Sequence, residues 1–169
     1  MRILISAASR HQGTAEIAQH LADALRREGA EVAVILPEEA VGVSGYDGVV
    51  LGSAVYFGRW LPEARGMAER LRDELRERPV WLFSSGPVGA AAADPNQGKV
   101  NVDALTAQTG ALGHRVFGGR IERARLNWPT RKLVGGMRIK DRDDRDWMEI
   151  EGWAQSIFKQ LEQARVGAD

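Results

Sequence analysis

Short apolar runs alternate along this chain with segments in which apolar residues recur every three or four positions. The runs are typical of β-strands, and the periodic segments are typical of amphipathic helices. The runs are almost wholly apolar, as expected of parallel strands that helices cover on both faces. The predicted strands span Arg2–Ser6, Val32–Leu36, Gly48–Ser53, Val80–Ser84 and Val116–Gly119. The predicted helices span Thr14–Arg27, Pro62–Arg76, Asp103–Thr109 and a C-terminal segment from Asp146 to about Arg165.

Local signals at the helix ends agree with this pattern. Gly29 follows the first helix, where a glycine commonly ends a helix. Asp146, with Glu149 three residues later, has the spacing of a capping box. The order of elements predicts one α/β domain over residues 1–169, a doubly wound three-layer fold with a five-stranded parallel sheet flanked by helices.

The composition excludes several function classes. The formal net charge is zero, which argues against a protein that binds nucleic acid. The chain has no cysteine, so it forms neither a disulfide nor a thiolate metal site. It begins in a strand without the pattern of a signal peptide, and no apolar run reaches the roughly 18 residues of a membrane span. We therefore expect a cytoplasmic protein that binds no nucleic acid.

The segment between the first strand and the first helix has the composition of an anion-binding loop. The first N–H groups of a helix have no partner within it, and the helix dipole adds about half a positive charge there. The loop has neither the lysine of a P-loop nor a G-x-G-x-x-G motif, so a monophosphate such as that of FMN fits it best. The alternative is an ordinary connection of a doubly wound domain. The cofactor-binding residues expected in this loop are Ser9, Arg10, His11, Gln12, Gly13 and Thr14, and of these we expect Ser9, Gln12, Gly13 and Thr14 to hold the phosphate.

Two more loops are expected at the same edge of the sheet, because the carboxyl ends of parallel strands lie together. Both loops are rich in small residues, which let the backbone approach a flat heteroaromatic ring, and one adds Tyr56 as an aromatic wall. The alternative for Tyr56 is burial under the following helix, a role that we assign to Trp60. The expected ring contacts are Ser53, Ala54, Val55 and Tyr56 from one loop, and Ser84, Ser85, Gly86, Pro87, Val88 and Gly89 from the other.

These segments resemble those of a known family. Ser9-Arg-His-Gln-Gly-Thr-Ala-Glu-Ile-Ala is similar to the phosphate loop of flavodoxins. Tyr46-Asp47 with Gly52-Ser-Ala-Val-Tyr, and Phe83-Ser-Ser-Gly-Pro, resemble their two ring loops. Arg115-Val-Phe-Gly-Gly-Arg-Ile, a basic stretch and then Arg145-Asp-Trp are similar to the flavodoxin-like, menaquinone-dependent type of protoporphyrinogen oxidase. The resemblance covers nearly the whole chain and implies FMN as the cofactor that carries the redox chemistry.

The chain departs from the flavodoxin pattern in two ways. The phosphate loop of the family usually has a glycine where this chain has Gln12, and here Gly13 follows instead. Flavodoxins that shuttle electrons are generally strongly acidic, whereas this chain is neutral.

Residues 115–140 form a basic segment with interleaved apolar residues. A segment of this kind can lie on an anionic membrane surface or bind an acidic partner. The resemblance implies access to a quinone or to the inner face of the membrane. The alternative is a solvated loop, balanced by Asp141, Asp143, Asp144 and Asp146. The basic residues are Arg115, Arg120, Arg123, Arg125, Arg131, Lys132, Arg138 and Lys140, and only Glu122 opposes them.

Three functions remain for comparison. The first is an FMN-dependent oxidoreductase similar to protoporphyrinogen oxidase, with a quinone as electron acceptor. The second is a flavodoxin without enzymatic activity that docks on redox partner proteins. The third, a receiver-type signalling domain, needs acidic residues at the ends of the first and third strands. The chain has Ser6-Ala7 and Ser53-Ala54 at those places, which disfavours the third function.

Overall fold

The computed structural model describes residues 1–86, 102–121 and 141–167. The strands are β1 (Arg2–Ala8), β2 (Glu31–Val34), β3 (Gly48–Tyr56), β4 (Arg59–Trp60), β5 (Val80–Ser85), β6 (Gly113–Phe117), β7 (Arg120–Ile121) and β8 (Arg142–Asp143). The helices are α1 (Gly13–Arg27), α2 (Pro62–Arg70), α3 (Arg72–Arg76), α4 (Asp103–Thr109) and α5 (Trp147–Val166).

Five of these strands form a parallel sheet in the order β2-β1-β3-β5-β6, which confirms the predicted doubly wound fold. Strand β4 turns back from β3 as an antiparallel hairpin at the edge where the parallel strands end. Strands β7 and β8 pair with each other in a separate two-stranded antiparallel ribbon. The chain order reverses between β1 and β3, so a crevice is expected beyond the carboxyl ends of these strands.

The sheet has an apolar core on each face. Alternate residues of the central strands point to opposite faces, so Ile3 and Ile5 pack with α1 and α5, while Leu4 packs with α2 to α4. Pro62 starts α2, and the Asp146 carboxylate starts α5 by accepting hydrogen bonds from the amides of Met148 (3.0 Å) and Glu149 (3.1 Å). Among the helices of the described residues, none is long and apolar enough to cross a membrane.

Several predicted boundaries were wrong. The segment Pro62–Arg76 is two helices, because Leu71 leaves the helical conformation (φ −106°, ψ 18°). The last parallel strand begins at Gly113 and ends at Phe117, earlier than predicted. It is an edge strand with Arg115 and Val116 exposed, so no continuous apolar run marks it in the sequence. The first and third strands continue past the apolar runs to Ala8 and Tyr56.

Candidate functional site

A cleft lies beyond the carboxyl ends of β1, β3 and β5, where the fold predicts a ligand site. Residues from all three predicted loops line it, together with a fourth segment that the sequence analysis did not assign to the site. The lining residues are Ser9, His11, Gly13, Thr14, Ala54, Val55, Tyr56, Ser85, Gly86, Gly119 and Arg120. The structure therefore brings together residues separated by more than 100 positions in the sequence.

The N-terminus of α1 opens on one end of this cleft. Helix α1 begins at Gly13, and Thr14 is 2% exposed. Within the described residues, the residue that precedes the helix makes no side-chain capping bond. The first turn of α1, whose amides lack partners within the helix, therefore lies at the cleft, where an anion site requires it. This feature fits the phosphate of FMN.

Gln12 has a positive φ of 69°, a conformation that glycine adopts with less strain. This is the position at which the flavodoxin pattern has its glycine, so a non-glycine residue adopts the left-handed conformation here. Gln12 was predicted to hold the phosphate and Arg10 to bind the cofactor, and neither is among the residues that line the cleft. The guanidinium of Arg10 instead lies 5.5 Å from the centre of the Tyr56 ring.

The β3–β4 hairpin forms the aromatic side of the cleft. Tyr56 is the last residue of β3 and lines the cleft, and Trp60 packs in the core at 3% exposure. Burial raises the pKa of Tyr56, and the positive charge of Arg10 opposes this effect. Phe57, at the tip of the hairpin, is 95% exposed and has a φ of 51°. The hairpin thus carries Tyr56 as an aromatic wall of the cleft and, next to it in the chain, the exposed Phe57.

Two serines predicted as ring contacts have hydroxyls engaged inside the protein. Ser53 Oγ donates to the carbonyl of Ala54 (2.8 Å) and accepts from the amide of Leu61 (2.9 Å). Ser84 Oγ accepts from Trp60 Nε1 (2.7 Å) and lies 2.8 Å from Nε2 of His114. Neither serine lines the cleft. These serines anchor the hairpin and β6, and in this way they position the residues beside them.

The next residues of β5, Ser85 and Gly86, do line the cleft. Gly86 has a φ of 108°, a conformation that favours glycine, and its amide donates to the carbonyl of Phe117 (3.1 Å). The predicted contacts Pro87, Val88 and Gly89 lie outside the described residues. Most of the basic segment, residues 122–140, also lies outside them.

Sequence reasoning missed an ion-pair network beside the start of α1. Arg120 Nη1 donates to both carboxylate oxygens of Glu16, at 2.9 and 2.6 Å. Arg145 Nη1 donates to the same carboxylate (2.7 Å), while its Nε and Nη2 donate to Asp143 at 2.7 and 2.6 Å. The Arg145 side chain is only 3% exposed, and its guanidinium lies 4.5 Å from the centre of the Trp147 ring. We call Glu16, Arg120, Asp143 and Arg145 the quartet.

The carboxylates of the quartet stay ionised to low pH. Burial alone would raise the pKa of Glu16, but hydrogen bonds from Arg145 and Arg120 outweigh it and lower that pKa. Hydrogen bonds from Arg145 lower the pKa of Asp143, and those to Asp143 raise the pKa of Arg145. The quartet therefore contains two positive and two negative charges near neutral pH.

The ion pairs of the quartet change the interpretation of Arg120 and of the acidic residues that follow the basic segment. Arg120 was counted among the residues of a membrane or partner surface, whereas it lines the cleft and pairs with Glu16. Three of the acidic residues proposed to balance the segment have local partners: Asp143 pairs with Arg145, Asp144 with Arg142, and Asp146 caps α5. The i+2 spacing of the two ion pairs carried no recognisable signal in the sequence.

The comparisons with known proteins agree with this arrangement. A family model described as a flavodoxin domain matches residues 4–146. No curated protein matches the chain. Flavodoxin 1 from Bacillus cereus has 17% sequence identity and a TM-score of 0.61, over 94% of this chain and 98% of that chain. A point mutant of the Pseudomonas aeruginosa flavodoxin has 13% identity and a TM-score of 0.62, over 96% of this chain and 99% of that one.

Rubredoxin oxygen:oxidoreductase from Desulfovibrio gigas has 15% identity and a TM-score of 0.61 over 96% of this chain. The chain spans only 36% of the length of that protein. At these identities the solved structures establish the fold alone, whereas the family model covers most of the chain. The chain therefore belongs to the flavodoxin domain family, whose members are FMN-binding electron-transfer domains.

Proposed function

We propose that this chain binds FMN across the cleft, with the phosphate at the N-terminus of α1 and the flavin ring between the β3–β4 hairpin and Ser85-Gly86. The observation that carries the proposal is the convergence of a helix N-terminus, an aromatic wall and two small residues in one cleft. Amides at the helix start suit a phosphate, and Tyr56 supplies the apolar surface that a flat ring requires.

We propose further that the protein is an FMN-dependent oxidoreductase similar to the menaquinone-dependent protoporphyrinogen oxidases, with a quinone as acceptor. FMN, when bound, takes up electrons from a reduced substrate and passes them to an acceptor. The residues of this chain bind and orient the cofactor. Tyr56 and Ser85 would flank the ring, while Ser9 and Thr14 would hold the phosphate.

The proposal of a quinone acceptor rests on the basic segment, whose neighbours in the chain pair in the β7–β8 ribbon. The two strands of the ribbon pair Arg120 with Asp143 and Ile121 with Arg142, so the residues that precede and follow 122–140 lie side by side. Arg120 lines the cleft, and the basic residues of 122–140 follow it in the sequence. A Cβ at Gly118 would overlap the backbone of Asp144, so glycine permits the close approach that brings the two ends together.

The phosphate site is tested by Thr14→Ala. Because hydrogen bonds to a charged group contribute about 1.5–3 kcal/mol, the variant should weaken FMN binding about ten-fold or more and leave riboflavin binding nearly unchanged. Thr109→Ala is the matched control, since Thr109 is equally buried but donates to the carbonyl of Leu105 within α4. Fluorescence titration measures both ligands. Equal losses of FMN and riboflavin affinity in Thr14→Ala would place Thr14 outside the phosphate site.

The acceptor is tested with vesicles that contain anionic lipid and a menaquinone. The protein should sediment with them at low salt and leave them at high salt, because each basic residue near an anionic surface contributes about 1 kcal/mol. The test variant replaces Arg125, Arg131, Lys132 and Arg138 by Gln, and the control replaces the exposed Arg27, Arg65, Arg72 and Lys159 by Gln. Only the test variant should lose both sedimentation and quinone-dependent oxidation of protoporphyrinogen, while keeping FMN.

A flavodoxin that shuttles electrons is the second candidate. It is favoured by the two flavodoxins above, of which this chain covers 98% and 99%. If the wild-type protein ignores vesicles and quinone but, once reduced, passes electrons to a soluble acceptor such as cytochrome c, this candidate replaces the oxidase.

A further inference from the structure

Arg120 lies where the N-terminus of α1 borders the cleft. It lines the cleft together with Ser9, Gly13 and Thr14, the residues proposed to hold the phosphate. A Cβ built on Gly13 would lie 3.6 Å from the Cβ of Arg120, in ordinary van der Waals contact. Arg120 therefore packs directly against the first residue of α1.

The rest of the quartet fixes the position of Arg120. Glu16, in the first turn of α1, holds its guanidinium at 2.6 and 2.9 Å, and the Arg120 side chain is 21% exposed. Glu16 is fixed in turn by the buried Arg145, which also binds Asp143, the residue paired with Arg120 across the β7–β8 ribbon. The guanidinium of Arg120 is thus held by Glu16, and its backbone pairs with Asp143.

We infer that Arg120 binds the phosphate group of the nucleotide and makes the cleft select a phosphorylated flavin over riboflavin. The inference rests on the proposed function, since it assigns a further residue to the same site. The ligand group that Arg120 would bind is a phosphate monoester dianion. The quartet has two arginines and two carboxylates and is neutral as a whole, so it does not repel this dianion.

The physical reason is the strength of an arginine contact with phosphate compared with that of neutral donors. A guanidinium carries five N–H donors in a planar fork, so one arginine can serve a carboxylate and a phosphate together. Charge-assisted hydrogen bonds are about twice as strong as neutral ones. The helix N-terminus offers about half a positive charge, and the Arg120 guanidinium adds the N–H donors of a cation beside it.

The test is Arg120→Gln, measured by titration of the FMN-depleted protein with FMN and with riboflavin. Loss of a charge-assisted contact should raise the Kd for FMN about ten-fold or more, while the Kd for riboflavin changes less than about two-fold. Arg142→Gln is the matched control, because Arg142 lies on the partner strand of the same ribbon and is not among the residues that line the cleft. It should leave both values within about two-fold of wild type.

Equal changes for both flavins in Arg120→Gln, or no change for FMN, would overturn the inference while leaving the proposed function intact. Failure of the wild-type protein to bind FMN would instead overturn the proposed function, and the inference with it. A second measurement, on the unsubstituted protein, can still contradict the inference if the variant does not fold. Between about 50 and about 500 mM NaCl the affinity for FMN should fall several-fold and that for riboflavin should stay constant. The same salt dependence for both flavins would contradict a role for Arg120.

Discussion

Replacing Arg145 by Met tests the idea that the quartet stabilises the cleft wall. Met keeps an apolar stem beside Trp147 but removes the donors to Asp143 and Glu16. Breaking a fully buried ion pair costs about 3–5 kcal/mol, whereas an exposed pair contributes at most about 1 kcal/mol. Arg145 is 3% exposed, but its partners Glu16 and Asp143 are 34% and 43% exposed and regain water. We therefore expect an intermediate loss of about 2–3 kcal/mol in the free energy of unfolding.

Urea unfolding followed by circular dichroism, with no flavin present, measures this loss. At a urea dependence of about 1–3 kcal/mol per molar, the midpoint at neutral pH should fall by about 1 M or somewhat more. Arg72→Met is the matched control, since Arg72 is half exposed and pairs with its exposed neighbour Asp73. It should shift the free energy of unfolding by no more than about 0.5 kcal/mol.

The pH dependence of the loss has a definite sign. The folded protein lowers the pKa values of Glu16 and Asp143. Their contribution to stability is complete above their unfolded pKa values, near 4, and is lost as the pH falls through the lower folded values. The difference between wild type and Arg145→Met should therefore be largest at neutral pH and shrink below about pH 4. A loss equal to that of the control, or one that is the same at neutral and acid pH, would refute the reasoning.

Three further substitutions test the packing and the cleft. Gly52→Ala places a methyl group into the Phe83 ring and should destabilise the protein by about 1–3 kcal/mol. An unchanged Tm would mean that the ring moves aside at no cost. Phe57→Asn should stabilise the protein by about 0.5–1 kcal/mol, because Asn tolerates the positive φ and the Phe57 side chain is almost fully exposed. A lower Tm would show that Phe57 makes a stabilising contact. Tyr56→Ala should brighten the fluorescence of bound FMN and shift its reduction potential, and an unchanged spectrum and potential would assign Tyr56 to packing alone.

The parts of the fold that depend on local pattern could be predicted from the sequence. The β1–α1 unit and the cap at Asp146 are encoded by neighbouring residues, and the structure confirms the five parallel strands that follow from their order. The last of these strands was misplaced because His114, Arg115 and Val116 lie at a sheet edge and need not be apolar. The break at Leu71 was missed because Leu71 continues the apolar helical face on which Met67 and Leu75 also lie.

The candidate site could be predicted only in part, and for a physical reason. Ser9, Thr14 and Tyr56 follow or begin predicted elements, so the topology alone places them at one edge. Arg120 and Arg145 reach the site through the β7–β8 ribbon, a pairing of two-residue strands that no periodicity reveals. Ser53 and Ser84 belong to the same small-residue loops as the residues that line the cleft, but their hydroxyls form hydrogen bonds within the fold. Those hydrogen bonds depend on where Leu61 and Trp60 pack.

The central claim is that this cleft holds FMN, and the flavin content of the purified protein tests it most directly. The account predicts a yellow protein that releases about one FMN per chain on denaturation, identified by chromatography, or that takes up one equivalent of added FMN after depletion. A colourless protein that binds no FMN at ligand concentrations of about 100 μM, where even a weak site would fill, would contradict it.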